Sequence, residues 1–168
     1  CYRADASART LSIDATPYYT FSRNYVHEGI RCTDASGAPA GVPAKAQIVW
    51  QQPANGASGS VVDAPAMEGA TLKVPVTGTK GNAVVAVCKA DGTILWSYHI
   101  WVSEAQDIAR RFEEAGSFEM LDRNLGATST TPKDRNAYGV LYQWGRKDPF
   151  SGPASYNAAN GASASMYN

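Results

Sequence analysis

The sequence predicts a mainly β protein: an Ig-like β-sandwich over residues 1–102, then a helix that opens a second unit over 103–168. Three observations predict it. Short β-branched and aromatic runs recur from about residue 10 to 102, with Gly, Pro, Asn and Asp between them. Asp91-Gly92 stands between two apolar runs, where a tight turn needs residues that accept positive φ. At residue 103 the apolar spacing changes from alternation to a helical period.

The expected strands, in order, are "LSI", "YYTFS", "AQIVWQ", "SVVDA", "TLKVPV", "NAVVAVCK" and "TILWSYHIWV". Loops such as "ASGAPAGVPA" and "PANGASGS" separate them. Pro75 has no amide to donate, so it marks an edge strand or the end of pairing. In the last strand Ile94, Trp96, Tyr98, Ile100 and Val102 share one face, and Leu95, Ser97, His99 and Trp101 share the other. Rings on both faces predict a central strand covered on both sides.

Ser103 and Gln106 have the spacing of a capping box. Ala105, Ile108, Ala109, Phe112 and Ala115 then form an apolar stripe, and Gly116 is a natural stop. Together they predict a helix over about 104–115. "FEMLDRNLGA" reads as a short strand entering a turn, and "YGVLYQWGR" as a strand or short helix. The small, polar tail from Ser151 reads as flexible alone, or as an ordered loop within a longer chain.

At 168 residues the chain can bury a core without staples. Fifteen basic residues balance fifteen acidic ones, and only 18% of the chain is charged, which points away from nucleic acid and anionic membranes as partners. No apolar run reaches the ~20 residues of a membrane-spanning helix. Cys1 is either an arbitrary start within a longer chain or the acylated first residue of a mature lipoprotein. The spacing of Cys1, Cys32 and Cys88 fits no zinc or redox motif, so no metal or cofactor is expected. Cys88 reads as a small buried hydrophobe, and a Cys32–Cys88 disulfide is left open.

Enzyme motifs are weak. "GASGS" does not fit a nucleophile elbow, and no phosphate loop, dinucleotide fingerprint or zinc-protease helix is present. His99 lies among strand aromatics and reads as a packed histidine, while His27 reads as a surface turn residue. Asp122, Asp134 and Asp148 are too dispersed to pair as acid and base. No catalytic residue is expected.

The stretch from Met120 to Phe150 looks the most chemical. Arg123, Asn124, Tyr142, Trp144 and Arg146 are candidate ligand contacts, because Arg and Asn bond hydroxyls or carboxylates and the rings stack on apolar faces. The plainer structural reading pairs Asp122 and Arg123 with Arg146 and Asp148 and buries Tyr142 and Trp144. Trp96, His99 and Trp101 are expected to be structural, as are Gly126 and Gly145, which permit tight backbone passages.

Two blocks carry a resemblance. "GNAVVAVCKADGTILWSYHIWV" resembles the β-rich region of fimbrillin-like surface proteins of Bacteroides, and the opening "CYRADASARTLSIDATPYYTFSRNY" resembles the segment before it. "LDRNLGATS", with "AYGVLYQWGRKDPF" after it, resembles the entry into the Fibrobacter succinogenes major paralogous domain. That module is related to the formylglycine-generating-enzyme branch of C-type-lectin-like folds. The resemblance implies a second unit, 103–168, that is the N-terminal part of a C-type-lectin-like α+β module. It also implies a secreted, fimbria-associated cell-surface protein whose role is adhesion. Expected partners are other pilus or surface subunits, and a glycan or host protein. A pilus-stalk spacer assembled by strand addition, and an accessory domain of a surface glycan-use enzyme, are the alternatives. The enzyme branch uses cysteines, and all three here precede residue 89, outside the matching segment, so no oxidase activity carries over.

Overall fold

The computed structural model describes residues 1–15, 41–104, 109–112, 118–152, 156–157 and 162–163. The first strands are β1 (Tyr2–Asp5), β2 (Thr10–Asp14), β3 (Lys45–Pro53), β4 (Ala66–Glu68) and β5 (Thr71–Pro75). There follow β6 (Gly81–Cys88), β7 (Ile94–Ser103), β8 (Ala109–Phe112), β9 (Phe118–Leu121), β10 (Tyr156–Asn157) and β11 (Ala162–Ser163). One sheet has the order β1-β7-β6-β3, and a second has the order β2-β5-β4. Two further ladders pair β8 with β9 and β10 with β11.

The two larger sheets close on one core, so the protein is a β-sandwich. Ile13, Leu72 and Val74 come from one sheet; Val85, Val87, Ile100 and Val102 come from the other. All of them are withdrawn from water, and their apolar burial is what holds the sheets face to face. Val61 and Val62 fill the same core without forming the strand expected of "SVVDA". Their amides donate to Gln51 Oε1 at 2.7 and 3.0 Å, so a side chain replaces a ladder partner.

The hairpin expected at Asp91-Gly92 forms, but only Gly92 takes the positive φ, and the central residues of the turn are Ala90 and Asp91. Gly92 sits at φ +94° and its amide donates to Lys89 O at 3.0 Å. Strand β7 is central, between β6 and β1, with both faces largely buried. Pro75 is the last residue of the central strand β5, so it does not mark an edge, and pairing continues past it: Val76 bridges Val62, and its amide donates to Arg9 O at 3.0 Å. Two features escape simple alternation. A bulge at Val49 turns Trp50 onto the outer face, although Ala46 and Ile48 pack on the core side. A second irregularity opposite Val87 and Cys88 brings Leu95 to the core. Cys88 is a free, buried thiol whose pKa burial pushes up; Cys32, His27 and the expected strand "YYTFS" lie outside the described residues.

The helix expected over 104–115 is corrected by the structure. Ala109–Phe112 is a strand, paired antiparallel from Ala109↔Leu121 to Phe112↔Phe118. The apolar stripe at helical spacing is real, but "FEML" offers a β-prone partner within hairpin reach, and pairing outweighs the weak local preference. Among the described residues the only helical turn is the 3-10 segment Arg135–Ala137, capped by Asp134, whose carboxylate accepts from the Asn136 amide at 2.9 Å. No described helix is long and apolar enough to cross a membrane.

Candidate functional site

Residues 122–152 lie against the outer face of the first sheet, where β6 and β7 present Asn82, Val84, Ser97, His99 and Trp101. Three attachments hold the segment there. Trp101 Nε1 donates to Ala127 O at 3.1 Å, and Asn82 Nδ2 donates to Gly126 O at 2.8 Å. Val140 packs on Trp50 and Val84 in a small apolar cluster. Lys147 Nζ donates to the backbone and hydroxyl oxygens of Ser97 at 2.7 and 2.6 Å, and Ser97 Oγ donates to Asp148 Oδ2 at 2.6 Å.

His99 belongs to this contact. Asn82 spends its amide hydrogens on Gly126 O, so its Oδ1 accepts, at 3.0 Å, from the Nε2–H of His99. Nδ1 of His99 is then bare, buried and without a partner among the described residues. Burial lowers the His99 pKa to about 4, with the chain's amino terminus adding to the shift, and the imidazole is neutral at neutral pH. Trp96 is half-buried and carries the Lys147 ammonium over its ring at 4.5 Å. The same burial pulls the Lys147 pKa down while Asp148 opposes the shift.

The structure divides the sequence-predicted ligand residues between two places. Arg123 and Asn124 line an open groove of about 640 Å³ with Met120, Leu121, Ser129 and Thr130. Arg123, however, is committed internally. Its side chain is only 5% exposed and pairs with Asp122 at 2.6 Å and with Glu104. These partners raise its pKa further above the ordinary range. Burial opposes the Glu104 charge, but its own backbone amide, Arg123 and Lys80 outweigh it and hold the carboxyl below its usual value. Asn124 donates to the carbonyls of Ala137 and Tyr138 at 3.3 and 3.4 Å.

Tyr142, Trp144 and Arg146 belong to a separate loop. It is closed by an antiparallel bridge between Leu141 and Phe150, with N–H···O distances of 3.2 and 2.8 Å. At its tip Arg146 N donates to Gln143 O at 3.0 Å, and Gly145 takes φ +78°. This is a type II turn with Trp144 in its first central position. Trp144 is 100% exposed and Tyr142 49% exposed, so the plainer reading that buries them does not hold. The Arg146 guanidinium lies over the Phe150 ring at 4.3 Å. It has no carboxylate partner among the described residues, because Asp148 is taken by Lys147 and Asp122 by Arg123.

Sequence reasoning did not single out Ser97, Lys147, Asn82 or Asn136. Asn136 links the segment to the β3–β4 loop: its Oδ1 accepts from Asn55 N at 2.6 Å, and its Nδ2 donates to Asn55 O at 3.3 Å. The partners in these contacts lie 44 to 81 positions apart, where spacing carries no signal. Comparison with protein-family models, curated proteins and solved structures returned no match.

Proposed function

We propose that the chain is a non-enzymatic, fimbria-associated binding protein of the bacterial cell surface. In this reading an Ig-like sandwich leads into the opening part of a lectin-like module. The sandwich is a rigid base, and the loop over 141–150 meets the ligand. The observation that carries this reading is the full exposure of Trp144 on a loop pinned at both ends. A large ring held in water is unfavourable for folding and favours stacking on a planar or apolar partner. The Lys147–Ser97–Asp148 anchor fixes the loop base, so little conformational freedom is lost on binding.

The resemblance to fimbrillin-like proteins supports the surface location. The neutral, buried His99 bonds Asn82, with no hydroxyl or thiol among its partners in the described residues, which favours binding over nucleophilic chemistry. The test is a glycan and host-protein array probed with the full-length chain and with Trp144→Ala. Binding that depends on Trp144 is expected. An array with no bound spot overturns the reading.

A stalk or spacer role has one observation in its favour. Strand β1 pairs only with Ile100–Ser103, so the Ile94–His99 edge of β7 on that side has no described strand beside it. Such an edge accepts an added strand. Filaments of purified protein in the electron microscope would favour this role over ligand binding.

A further inference from the structure

We propose that the loop over 141–150 selects an acidic sugar, a hexuronate residue whose ring stacks on Trp144 while its carboxylate meets Arg146. The inference rests on the reading of this loop as a binding surface and adds the chemical class of its ligand.

Two side chains supply the recognition, and the turn sets their relation. Trp144 and Arg146 occupy the second and fourth positions of the turn closed by Arg146 N and Gln143 O at 3.0 Å. The indole is wholly exposed, so both of its faces are open to a pyranose ring. Arg146 is preoriented, because its guanidinium carbon lies over the Phe150 ring, 4.3 Å from the centroid. A guanidinium held by a ring on one side keeps N–H donors on its other sides, and two of them can grip a carboxylate with parallel bonds.

Charge points the same way. The loop holds three charged side chains, Arg146, Lys147 and Asp148. Lys147 and Asp148 cancel in direct contact and turn toward Ser97. Arg146 is therefore the loop's unbalanced charge, and it calls for an anion. A neutral sugar would leave it unused. A bilayer surface fits less well. Stable membrane anchoring takes several inserted apolar groups or a polybasic cluster; here Leu141 and Tyr142 are only about half exposed beside Trp144, and Lys147 is paired with Asp148, which leaves Arg146 as the one unpaired cation of the loop.

The test is calorimetric titration of the full-length chain with a hexuronate tetrasaccharide and with the neutral hexose tetrasaccharide of the same linkage. The acidic ligand should bind at least ten-fold more tightly. Arg146→Gln should reduce its affinity to that of the neutral ligand, and Arg146→Lys should recover only part of the difference. Trp144→Ala should abolish binding of both. Equal affinities in the unaltered protein, or a preference that survives Arg146→Gln, overturns the acidic selection while leaving the loop as a binding surface. If both sugars bind and Trp144→Ala changes neither affinity, the loop itself is wrong. If neither sugar binds, the proposal fails. Equal or tighter binding to phosphatidylserine vesicles, lost in Arg146→Gln, would reassign the loop to membranes.

Discussion

Trp101 donates its indole N–H to the carbonyl of Ala127 across 3.1 Å, and both residues are buried. One residue upstream, Gly126 O takes the side-chain amide of Asn82 at 2.8 Å. Two consecutive carbonyls of a loop are thus satisfied by side chains of the sheet beneath it. Buried carbonyls need such partners, since each costs about 1–3 kcal/mol when left bare. Trp101→Phe keeps an aromatic ring but removes the donor and some volume. Denaturant unfolding should show a loss of about 2–4 kcal/mol. A loss below about 0.5 kcal/mol, the size expected of a surface substitution, would mean that the contact is dispensable.

The His99 site predicts a pH dependence with a definite sign. Its pKa is about 4 in the folded protein against an ordinary value of 6.5. The unfolded chain therefore binds more protons between these values, and stability rises with pH across that interval. The contribution is complete above pH 6.5 and is lost as the pH falls toward 4. The span corresponds to about 3 kcal/mol. His99→Gln can keep a donor to Asn82 without titrating. Its unfolding free energy should be flatter than that of the unaltered protein over this pH range. Parallel pH profiles would remove His99 as the cause.

Gly126 and Gly145 separate two reasons for glycine. Both have positive φ, +83° and +78°. A Cβ at Gly126 would stand 2.8 Å from Val140 Cγ1 and 2.9 Å from Asn82 Oδ1, and Asn82 is already held by His99 and by Gly126 O. A Cβ at Gly145 would meet nothing within 4 Å. Gly145→Ala should therefore cost only the left-handed backbone, about 1–2 kcal/mol. Gly126→Ala adds a steric clash and should cost at least about 1 kcal/mol more. Thermal unfolding of the two variants side by side tests the order; equal losses would refute the packing argument.

What the sequence made legible was local. The hairpin is signalled by the adjacent Asp91 and Gly92, and the two-faced burial of β7 follows from alternation within one strand. Strand β1 was not legible: "YRAD" has weak alternation, and it is a strand because β7 offers a parallel partner about 98 positions away, at Tyr2↔Ile100. Residues 109–112 show the converse, where a convincing helical stripe yields to a neighbouring β partner. At the candidate site the residue types were visible but their commitments were not. Arg123 and Arg146 look alike in sequence; one is buried between two carboxylates and the other stacks on Phe150 beside the exposed indole. Tertiary contacts alone distinguish them.

That difference between the arginines yields the last prediction. Arg123 sits between Asp122 and Glu104, and Lys80 reaches Glu104 only at 3.6 Å. Removing the guanidinium takes a cation from both carboxylates in a place where the Asp122 side chain is 12% and the Glu104 side chain 24% exposed. Breaking a buried pair from one side costs about 3–5 kcal/mol, because the remaining charge is uncompensated. Arg123→Met should fall at the lower end of that range, since Glu104 is 24% exposed and keeps Lys80. Glu104→Gln in the same background should restore part of the loss by removing one of the two carboxylate charges. Arg146→Met has no such partner to strand and should leave stability within about 0.5 kcal/mol of the unaltered protein. Chemical denaturation of the four proteins checks the contrast. If Arg123→Met proves as mild as Arg146→Met, Arg123 does not tie β9 to the end of β7 and is free to serve as a ligand contact.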